Sequence, residues 1–331
     1  MARERLVAVS YPVEPDFTAI NSDVLGDVAT LSFLSQLPEG ERADALREAE
    51  VLLGWSLRRE LPAGALDDAP ELRFIQLLSA GVDNVDFAEI PAQAMLAGNV
   101  GAYAAPIAEH VMAMTLSLAK HLPAEHAAMA SGRFDHNASS RTLDGAVCAI
   151  VGFGGIGKAT ARLMRPFGAR IHALNSNGKT SEPVEFAGSL ADLDQVLAAA
   201  DVLVIAIPLT AATRGLIGGR ELELMKPGAI LINVARGAIV DEQALYDHLR
   251  ANPDFSAGID AWWDEPSQGT EFHPRYPFLE LPNLVGSPHN SGNVPGILHF
   301  AVRKAAENVR RYLLGEPAAG VVHREDYAGL H

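Results

Sequence analysis

The stretch Val151-Gly152-Phe153-Gly154-Gly155-Ile156-Gly157 decides the fold of this 331-residue chain. It has the spacing G-x-G-x-x-G, and it leads from an apolar run, residues 146–151, into a helix-like stretch, residues 158–167. In that context the glycines allow a tight turn and let the backbone approach the pyrophosphate of a dinucleotide at a helix N terminus. The sequence therefore predicts a dinucleotide-binding βαβ unit that begins near the middle of the chain.

Apolar, strand-like runs alternate with helical patterns on both sides of this loop. In the second half, strands are predicted at 146–151, 170–173, 201–208, 229–234, 255–260 and 284–287, with helices at 156–167, 190–199, 221–225 and 241–249. In the first half, strands are predicted at 6–10, 51–55, 73–78 and 99–100, with a helix at 41–50. Regular alternation of this kind predicts a doubly wound parallel sheet in the second half and a smaller α/β domain before it.

Two helical stretches, residues 107–122 and 294–314, flank the central domain, and a tail at residues 321–327 follows the second. A tail after a long return helix is expected to rejoin the first domain. We therefore expect a dinucleotide-binding domain at residues 105–293, inserted into a substrate domain at residues 1–104 and 294–331. The predicted fold class is α/β with two Rossmann-like domains, of which the smaller is flavodoxin-like.

The composition excludes several classes of protein. A net charge of −15 and a pI near 5.1 argue against nucleic acid or an anionic membrane surface as the main partner. Cys148 is the single cysteine, and histidines at metal-binding spacing are absent, so no disulfide and no metal site are expected. The N terminus has no signal-peptide apolar region, and no apolar run approaches 18 residues. A cytoplasmic protein is expected.

Several blocks, in a fixed order, resemble the D-isomer-specific 2-hydroxyacid dehydrogenase family over roughly residues 70–327. They are Ser79-Ala80-Gly81-Val82-Asp83, Ala108-Glu109-His110, the glycine loop, Pro208-Leu209-Thr210 with Thr213, Met225-Lys226-Pro227-Gly228, Ile232-Asn233-Val234-Ala235-Arg236-Gly237, Asp260 through Pro266, and Ser287-Pro288-His289. The resemblance implies a split substrate domain, an inserted NAD(P) domain and a homodimer.

Three residues carry the chemistry that the resemblance implies: Arg236, Glu265 and His289. Each follows a predicted strand of the central domain, and ligands bind beyond the carboxyl ends of such strands, so all three are expected to face one cleft. An arginine fork suits a carboxylate, and a histidine suits proton transfer near neutral pH. We therefore expect Arg236 to anchor the substrate and His289 to act as general acid and base. Glu265 is expected to orient the imidazole and favour its protonated form.

The resemblance also implies further contacts with substrate and cofactor. Backbone N–H groups of Ala80, Gly81 and Val82 are expected at the substrate carboxylate, with Tyr103 on the substrate side. Asp260 is expected at the nicotinamide carboxamide. The other predicted cofactor contacts are Gly152, Gly154, Gly155, Ile156, Gly157, Asn175, Ser176, Lys179, Pro208, Thr213, Val234, Ala235, Arg236, His289 and Gly292.

Asn175 stands where NAD-specific members carry an acidic residue for the ribose hydroxyls, about 20 residues past the glycine loop. Without that carboxylate a 2′-phosphate is not repelled, and Ser176, Asn177 and Lys179 can hydrogen-bond or pair with it. The sequence therefore favours NADP(H) over NAD(H). The stretch lacks the arginine common in NADP-specific members, so use of both cofactors stays open.

The predicted function is NAD(P)-dependent reduction of a small 2-keto acid, such as glyoxylate, hydroxypyruvate or a pyruvate-like acid, to the D-2-hydroxy acid, and the reverse oxidation. Glu265 argues against formate dehydrogenases, which have glutamine there, and Ala80 against phosphite dehydrogenases, which have lysine. Two alternatives stay open. One is a phosphoglycerate dehydrogenase-like enzyme, with Arg58 and Arg59 as candidate phosphate contacts. The other is a non-enzymatic dinucleotide sensor, similar to the C-terminal-binding-protein corepressors.

The aromatic residues Trp262 and Trp263, with the stretch at residues 272–278, are open to two interpretations. They either wall the substrate pocket or pack a dimer contact.

Overall fold

The computed structural model describes residues 5–266 and 270–330 and divides into two compact units. Residues 5–103 and 294–330 form the first unit, and residues 104–293 form the second. In chain order the helices and strands are β1 (Leu6–Val9), α1 (Pro15–Leu25), β2 (Thr30–Phe33), α2 (Glu39–Glu48), β3 (Val51–Gly54), α3 (Leu57–Glu60), β4 (Phe74–Leu77), β5 (Met95–Ala97), α4 (Ala104–Ala119), α5 (Leu122–Ala130), β6 (Val147–Val151), α6 (Gly155–Met164), β7 (Arg170–Leu174), β8 (Phe186–Gly188), α7 (Leu193–Ala199), β9 (Val202–Ile205), α8 (Gly219–Leu224), β10 (Ile230–Asn233), α9 (Glu242–Ala251), β11 (Ser256–Ile259), β12 (Leu284–Gly286), α10 (Ile297–Leu313) and β13 (Val321–Val322).

The sheet of the first unit has the order β13-β5-β4-β3-β1-β2. Its five strands from β1 to β5 are parallel and have the flavodoxin-like order 2-1-3-4-5, as the sequence predicted. The tail after α10 returns as β13, which pairs antiparallel with β5. Small and branched residues of α10, including Val302, Ala305 and Val309, are fully buried against this sheet. Their spacing gives α10 one apolar face.

The sheet of the second unit has the order β12-β11-β10-β9-β6-β7-β8, and every pair in it is parallel. This is the Rossmann order with β12 added beside β11, and it reverses between β6 and β9. The central strands are buried along their whole length, as expected for a sheet covered on both faces. Apolar side chains of α4 and α6 pack on one face. The predicted fold class, two parallel-sheet α/β domains, is confirmed.

Several predicted elements differ in the structure. The strand predicted at residues 99–100 is wrong: β5 is Met95–Ala97, and the Asn99 amide instead donates to the carbonyls of Leu78 (3.3 Å) and Ala301 (2.8 Å). The helix predicted at 107–122 is α4, and it stops before His121, whose φ of +52° separates it from α5. The sequence missed α1, α3, α5, β2 and β8. The last two are short edge strands, whose partly exposed residues give a weak apolar pattern.

Neither a membrane-spanning helix nor a metal-binding cluster occurs among the described residues. No helix within residues 5–266 and 270–330 combines the length and apolar character needed to cross a bilayer. In the same ranges, no three His, Cys, Asp or Glu side chains gather into a group that could hold a metal ion.

Candidate active site

The strands β10, β11 and β12 end side by side, and the hydrogen bonds between their backbones continue past the strands. Asp260 N donates to Asn233 O (3.0 Å), and His289 N donates to Asp260 O (2.9 Å). Arg236, Glu265 and His289 follow these three strands in turn. The sheet therefore brings their chain segments to one edge, the carboxyl edge at which open α/β sheets bind ligands.

Glu265 and His289 are in direct contact. His289 Nδ1 lies 2.8 Å from each carboxylate oxygen of Glu265, and the two side chains are 35% and 39% exposed respectively. Trp262 N donates to Glu265 Oε1 at 3.0 Å, which fixes the carboxylate from the other side. Because this contact uses Nδ1, Nε2 is the ring nitrogen left for proton exchange with a ligand.

The pKa of the Glu265 carboxyl lies below its usual range. Partial burial opposes ionisation and is the largest single influence on this pKa. The hydrogen bond and charge of His289, the N–H of Trp262 and the charge of Arg236 together outweigh it. Glu265 is therefore a carboxylate throughout the neutral range.

Arg236 stands at the start of a 3₁₀ turn, Gly237–Ile239, and a buried amide holds its backbone. The Asn233 side chain donates to Arg236 O (2.9 Å) and accepts from Ala235 N (3.0 Å). A Cβ on Gly237 would lie 2.3 Å from the carbonyl carbon of Trp262, so this turn lies against the backbone that leads to Glu265. The Arg236 guanidinium donates to Ala235 O (2.7 Å), and its charge reaches Glu265.

The glycine loop joins β6 to α6 as the sequence predicted. Gly152 has a φ of +103°, a conformation that favours glycine, and a Cβ there would lie 2.4 Å from the Ala206 backbone. A Cβ on Gly157 would lie 2.2 Å from Gly152 O, so helix and strand pack too closely for a side chain at that position. Gly154 is the N-cap of α6, and Gly155 and Ile156 begin the helix.

The residues predicted for the adenosine end form a closed turn after β7. Asn175 Nδ2 donates to Lys179 O (2.7 Å), while Asn175 Oδ1 accepts from the backbone N–H groups of Asn177 (3.2 Å) and Lys179 (3.3 Å). The side chains of Ser176, Asn177 and Lys179 are exposed around it. Asn175 therefore shapes the turn, and its neighbours present their polar groups outward.

Other predicted cofactor residues lie on the loops that follow β9, β10 and β12. The Thr213 hydroxyl donates to Pro208 O (2.7 Å) and accepts from Thr210 N (2.8 Å), which closes the loop after β9. Val234 and Ala235 follow β10 directly. Gly292 lies in the turn that Asn293 N closes onto Asn290 O (2.9 Å).

Asp260 is fully buried, and the segment that carries His289 surrounds its carboxylate. Ser287 Oγ donates to Oδ1 (2.5 Å), and the backbone N–H groups of Asn290 (3.1 Å) and Ser291 (3.3 Å) donate to Oδ1 and Oδ2. A contact with the nicotinamide carboxamide stays a prediction for this residue. In the structure its carboxylate anchors residues 287–291.

The predicted substrate residues of the first unit follow β4. The Ser79 hydroxyl donates to Gly81 O (2.9 Å) and shapes the loop that contains Ala80 and Val82. The Tyr103 hydroxyl donates to Leu78 O (3.1 Å), and burial raises its pKa to about 12. Tyr103 therefore supports the end of β4, and a contact with substrate stays a prediction.

The aromatic residues around Trp262 pack mainly against one another. Trp263 stacks on Phe278 with ring centroids 5.3 Å apart, and Trp262 meets Phe272 at 5.0 Å. Trp262 and Phe278 are buried. The two indole N–H groups donate to Ser287 O (2.8 Å) and Val240 O (2.7 Å). This cluster thus ties the segment of Glu265 to that of His289.

The sequence predicted a structural or surface role for His110 and no role for Asn233 or Ser287, although each touches this region. Asn233 is a buried polar residue in the apolar run Ile230-Leu231-Ile232-Asn233-Val234. A polar side chain in a buried strand must find hydrogen-bond partners, so that run was the signal available for Asn233. The contact of His110 with Ser287 joins residues 177 positions apart, and local spacing gives no sign of it.

Known proteins were compared with this chain. The sequence model for the D-isomer specific 2-hydroxyacid dehydrogenase NAD binding domain matches residues 112–291. A hydroxypyruvate reductase from Thermotoga maritima is 30% identical over 293 residues, which cover 87% of this chain and 92% of that protein. A D-3-phosphoglycerate dehydrogenase from Mycobacterium tuberculosis is 31% identical over 88% of this chain, and the chain spans 54% of the length of that protein.

The fold comparison agrees with the sequence comparison. A D-isomer specific 2-hydroxyacid dehydrogenase from Xanthobacter autotrophicus, solved in complex with NADPH and MES, superposes with a TM-score of 0.76 at 26% identity. The match covers 98% of this chain and 100% of that one. Residues 112–291 thus carry the NAD-binding domain of the family, which takes a nicotinamide dinucleotide. The chain belongs to the D-isomer specific 2-hydroxyacid dehydrogenase family.

Proposed function

We propose that this protein catalyses the NAD(P)-dependent reduction of a small 2-keto acid (glyoxylate, hydroxypyruvate or a pyruvate-like acid) to the D-2-hydroxy acid, and the reverse oxidation. The observation that carries the proposal is the contact of His289 Nδ1 with both carboxylate oxygens of Glu265, at 2.8 Å each. It orients the imidazole and favours its protonated form. Arg236 adds a cation whose charge reaches the same carboxylate.

Each residue has a distinct task in the proposed reaction. Arg236 binds the substrate carboxylate through two parallel N–H groups and polarises the neighbouring carbonyl. His289 donates its Nε2 proton to the carbonyl oxygen as charge develops there. Glu265 stabilises the imidazolium until that transfer. The nicotinamide, when bound, supplies the hydride. In the reverse direction, neutral His289 takes the proton of the hydroxyl group.

The N terminus of α6 fits the pyrophosphate of a dinucleotide. In the described part of the chain no side chain caps this ten-residue helix, and a Cβ on Gly154 would meet no heavy atom within 4 Å. Uncapped N–H groups and the positive end of the helix dipole favour a phosphate at this position. We propose that Gly154, Gly155 and Ile156 hold the pyrophosphate.

We propose that NADP(H) is preferred, with NAD(H) also used. The turn at residues 175–179 is closed by the neutral amide of Asn175, so no carboxylate repels a 2′-phosphate. N175D should lower the ratio of kcat/KM for NADPH to that for NADH about tenfold, which corresponds to about 1.4 kcal/mol. Q195E, which adds the same charge at an exposed amide side chain of α7 in the same unit, is the matched control. An unchanged ratio in N175D would locate the preference elsewhere.

The reaction class is tested by NADPH and NADH oxidation rates against a panel of 2-keto acids from glyoxylate to phenylpyruvate. We expect turnover of the small members, and their ranking gives the size of the pocket. A dinucleotide that binds tightly without turnover of any acid would overturn the proposal and favour the sensor alternative.

A phosphoglycerate dehydrogenase-like activity is the second candidate, because the relative from Mycobacterium tuberculosis carries that name. Arg58 and Arg59 on α3 are exposed, and Arg58 lies 3.6 Å from Asp86, an exposed pair of little strength. Adding 3-phosphohydroxypyruvate to the panel tests this candidate. If it is the preferred substrate, R58A/R59A should raise its KM and leave that of glyoxylate unchanged.

We further propose that residues 104–293 serve as the cofactor domain and that residues 5–103 with 294–330 serve as the substrate domain. The family model on residues 112–291 supports the first assignment. A homodimer is proposed as well, from the resemblance to the family. Exposed apolar side chains on and after α5 support this proposal.

A further inference from the structure

A hydrogen-bonded chain links α4 to the segment that carries His289. His110 Nε2 lies 2.9 Å from Ser287 Oγ, and Ser287 Oγ lies 2.5 Å from Asp260 Oδ1. No role proposed above uses His110 or Ser287. We infer that both are positioning residues, which hold residues 287–291 so that His289 meets the substrate at the correct place. The inference rests on the proposed function of His289.

The chemistry of the three groups fixes the direction of the chain. A carboxylate only accepts hydrogen bonds, so the single hydroxyl proton of Ser287 goes to Asp260. The oxygen of Ser287 must then accept from His110, which therefore carries a proton on Nε2. Ser287 thus links two groups on different elements: its oxygen accepts from His110, and its proton goes to Asp260.

The buried charge of Asp260 makes its hydrogen bond with Ser287 strong. The side chain is fully buried, and an ionised carboxylate in the interior is tolerated only when donors surround it. Among residues 5–266 and 270–330, its close donors come from residues 287–291: the Ser287 hydroxyl and the N–H groups of Asn290 and Ser291. His289 lies between them in sequence, so the carboxylate holds its segment from both sides.

His289 needs such an anchor because its backbone has a φ of +50°. The left-handed region is unfavourable for a residue with a Cβ and persists only where the surroundings enforce it. The bonds of Ser287, two residues before His289, and of Asn290, directly after it, to Asp260 enforce it from both sides. Trp262 Nε1, which donates to Ser287 O at 2.8 Å, adds a third restraint.

The His110 end of the hydrogen-bonded chain is also fixed in position, because α4 lies directly on the sheet. A Cβ on Gly258 of β11 would lie 3.0 Å from Met114 Sδ and 3.2 Å from Met114 Cβ, so helix and strand pack at close range. His110 stands one turn before Met114, on the same face of α4. It therefore reaches the carboxyl end of β11 from a rigid support.

The same residue types also occur in hydrolytic triads, but the geometry here excludes that role. In a triad the carboxylate orients the histidine and the histidine takes the hydroxyl proton. Here Asp260 accepts from the hydroxyl itself, and His110 Nε2 lies 3.9 Å from Asp260 Oδ1. The Ser287 oxygen is held as an acceptor and is not activated as a nucleophile.

The test compares S287A with S287T in the full chain. We expect S287A to lower kcat about tenfold to a hundredfold, because a displacement of about 1 Å is enough to cost that much. The KM of the 2-keto acid and the Kd of the dinucleotide should change less than about twofold. S287T keeps the hydroxyl and should restore most of kcat. H110L should lower kcat similarly, and S287A/H110L should be no worse than S287A, because both break one chain.

S10A is the matched control. Ser10 is also buried, and its hydroxyl donates to a carboxylate, Glu60 Oε2, at 2.7 Å, but in the first unit. S10A should leave kcat within about twofold of wild type, because the hydroxyl of Ser10 is not part of the hydrogen-bonded chain from His110 to Asp260. Equal losses of kcat in S10A and S287A, or wild-type kcat in S287A, would overturn the inference.

A second readout does not depend on activity. The indole N–H resonance of Trp262, assigned with W262F, reports the position of Ser287 O. It should shift in S287A and H110L and stay in place in S287T and S10A. If the wild-type protein turns over no 2-keto acid, the proposed function fails. The indole spectra then still decide whether Ser287 and His110 hold the segment, and unshifted spectra would overturn that.

Discussion

At the scale of single residues, the proposed function depends most directly on the imidazole of His289. If it exchanges the substrate proton, H289Q should lower kcat by about 10²–10⁴-fold and leave the dinucleotide Kd unchanged. Wild-type reduction should fall as the pH rises and the imidazolium is lost, whereas oxidation should fall as the pH drops. H289Q should lose both limbs of the pH profile in steady-state assays. Wild-type kcat with an unchanged profile would disprove the assignment.

Glu265 gives a prediction about pH. Its pKa lies below the usual range. The carboxylate is therefore charged at every pH above the pKa of an ordinary glutamic acid side chain, about 4.3. Its contribution to stability is therefore present above that pH and is lost as the pH falls through the folded-state value. In E265Q no charge favours the imidazolium. The alkaline limb of reductive kcat/KM should then move to lower pH.

The matched control is E271Q, because Glu271 also contacts a histidine, His273 at 3.1 Å, but both side chains are almost fully exposed. Its pH profile should equal that of wild type. A profile of E265Q that coincides with wild type would show that Glu265 does not support His289.

Motifs identified Arg236, Glu265 and His289 because each stands in a short block with a recognisable neighbourhood. The predicted parallel sheet alone indicated that all three residues lie near the carboxyl ends of the strands. The hydrogen bonds of Ser287 to Asp260 and His110 could not be predicted from the sequence. They depend on the register of β11 beside β12 and on the depth of α4 on the sheet, and neither leaves a local pattern.

At the scale of elements, the glycine loop separates two roles. G157A places a Cβ 2.2 Å from Gly152 O, and such overpacking costs about 1–3 kcal/mol, which should lower the Tm by several degrees. G154A meets no atom within 4 Å, so it should fold with wild-type Tm but bind NADPH at least about tenfold more weakly, because its methyl group faces the pyrophosphate. Thermal unfolding and titration separate these effects. Wild-type affinity in G154A would contradict the proposed phosphate site.

The elements that the sequence predicted well are those with strong buried patterns, such as β6 and β9, which are apolar throughout, and β10, which is apolar up to Asn233. The misses occur where tertiary contacts decide. Asn99 leaves the sheet because its amide binds Leu78 O and Ala301 O, and α4 ends at Ala119, shortly before the left-handed backbone of His121. A weakly patterned edge strand such as β8 forms because β7 offers it an open edge.

At the scale of the whole molecule, the tail shows what connectivity can predict. A long return helix followed by an apolar pair indicated that the chain rejoins its first domain, and β13 does pair with β5. The antiparallel direction of that pairing was not available from the sequence. It depends on which edge stays open after the parallel strands have paired.

The homodimer is the remaining prediction at this scale. Every residue from 131 to 140 is exposed, and the large apolar side chains of Met129 and Phe134 are 59% and 70% exposed. Neighbouring exposed apolar side chains are typical of a surface that a partner covers. Light scattering should give about 70 kDa for wild type, twice 35.2 kDa. M129D/F134D should give the single-chain mass, because two buried charges oppose association.

F300D is the control, because Phe300 on α10 is also 53% exposed but belongs to the first unit. It should leave the mass at twice the single chain. A wild-type mass of one chain would refute the dimer. A dimer that F300D dissociates and M129D/F134D does not would place the interface on α10. If the interface lies on and after α5, loss of the dimer should also lower the Tm, since the exposed apolar groups then lose the burial that stabilises the folded chain.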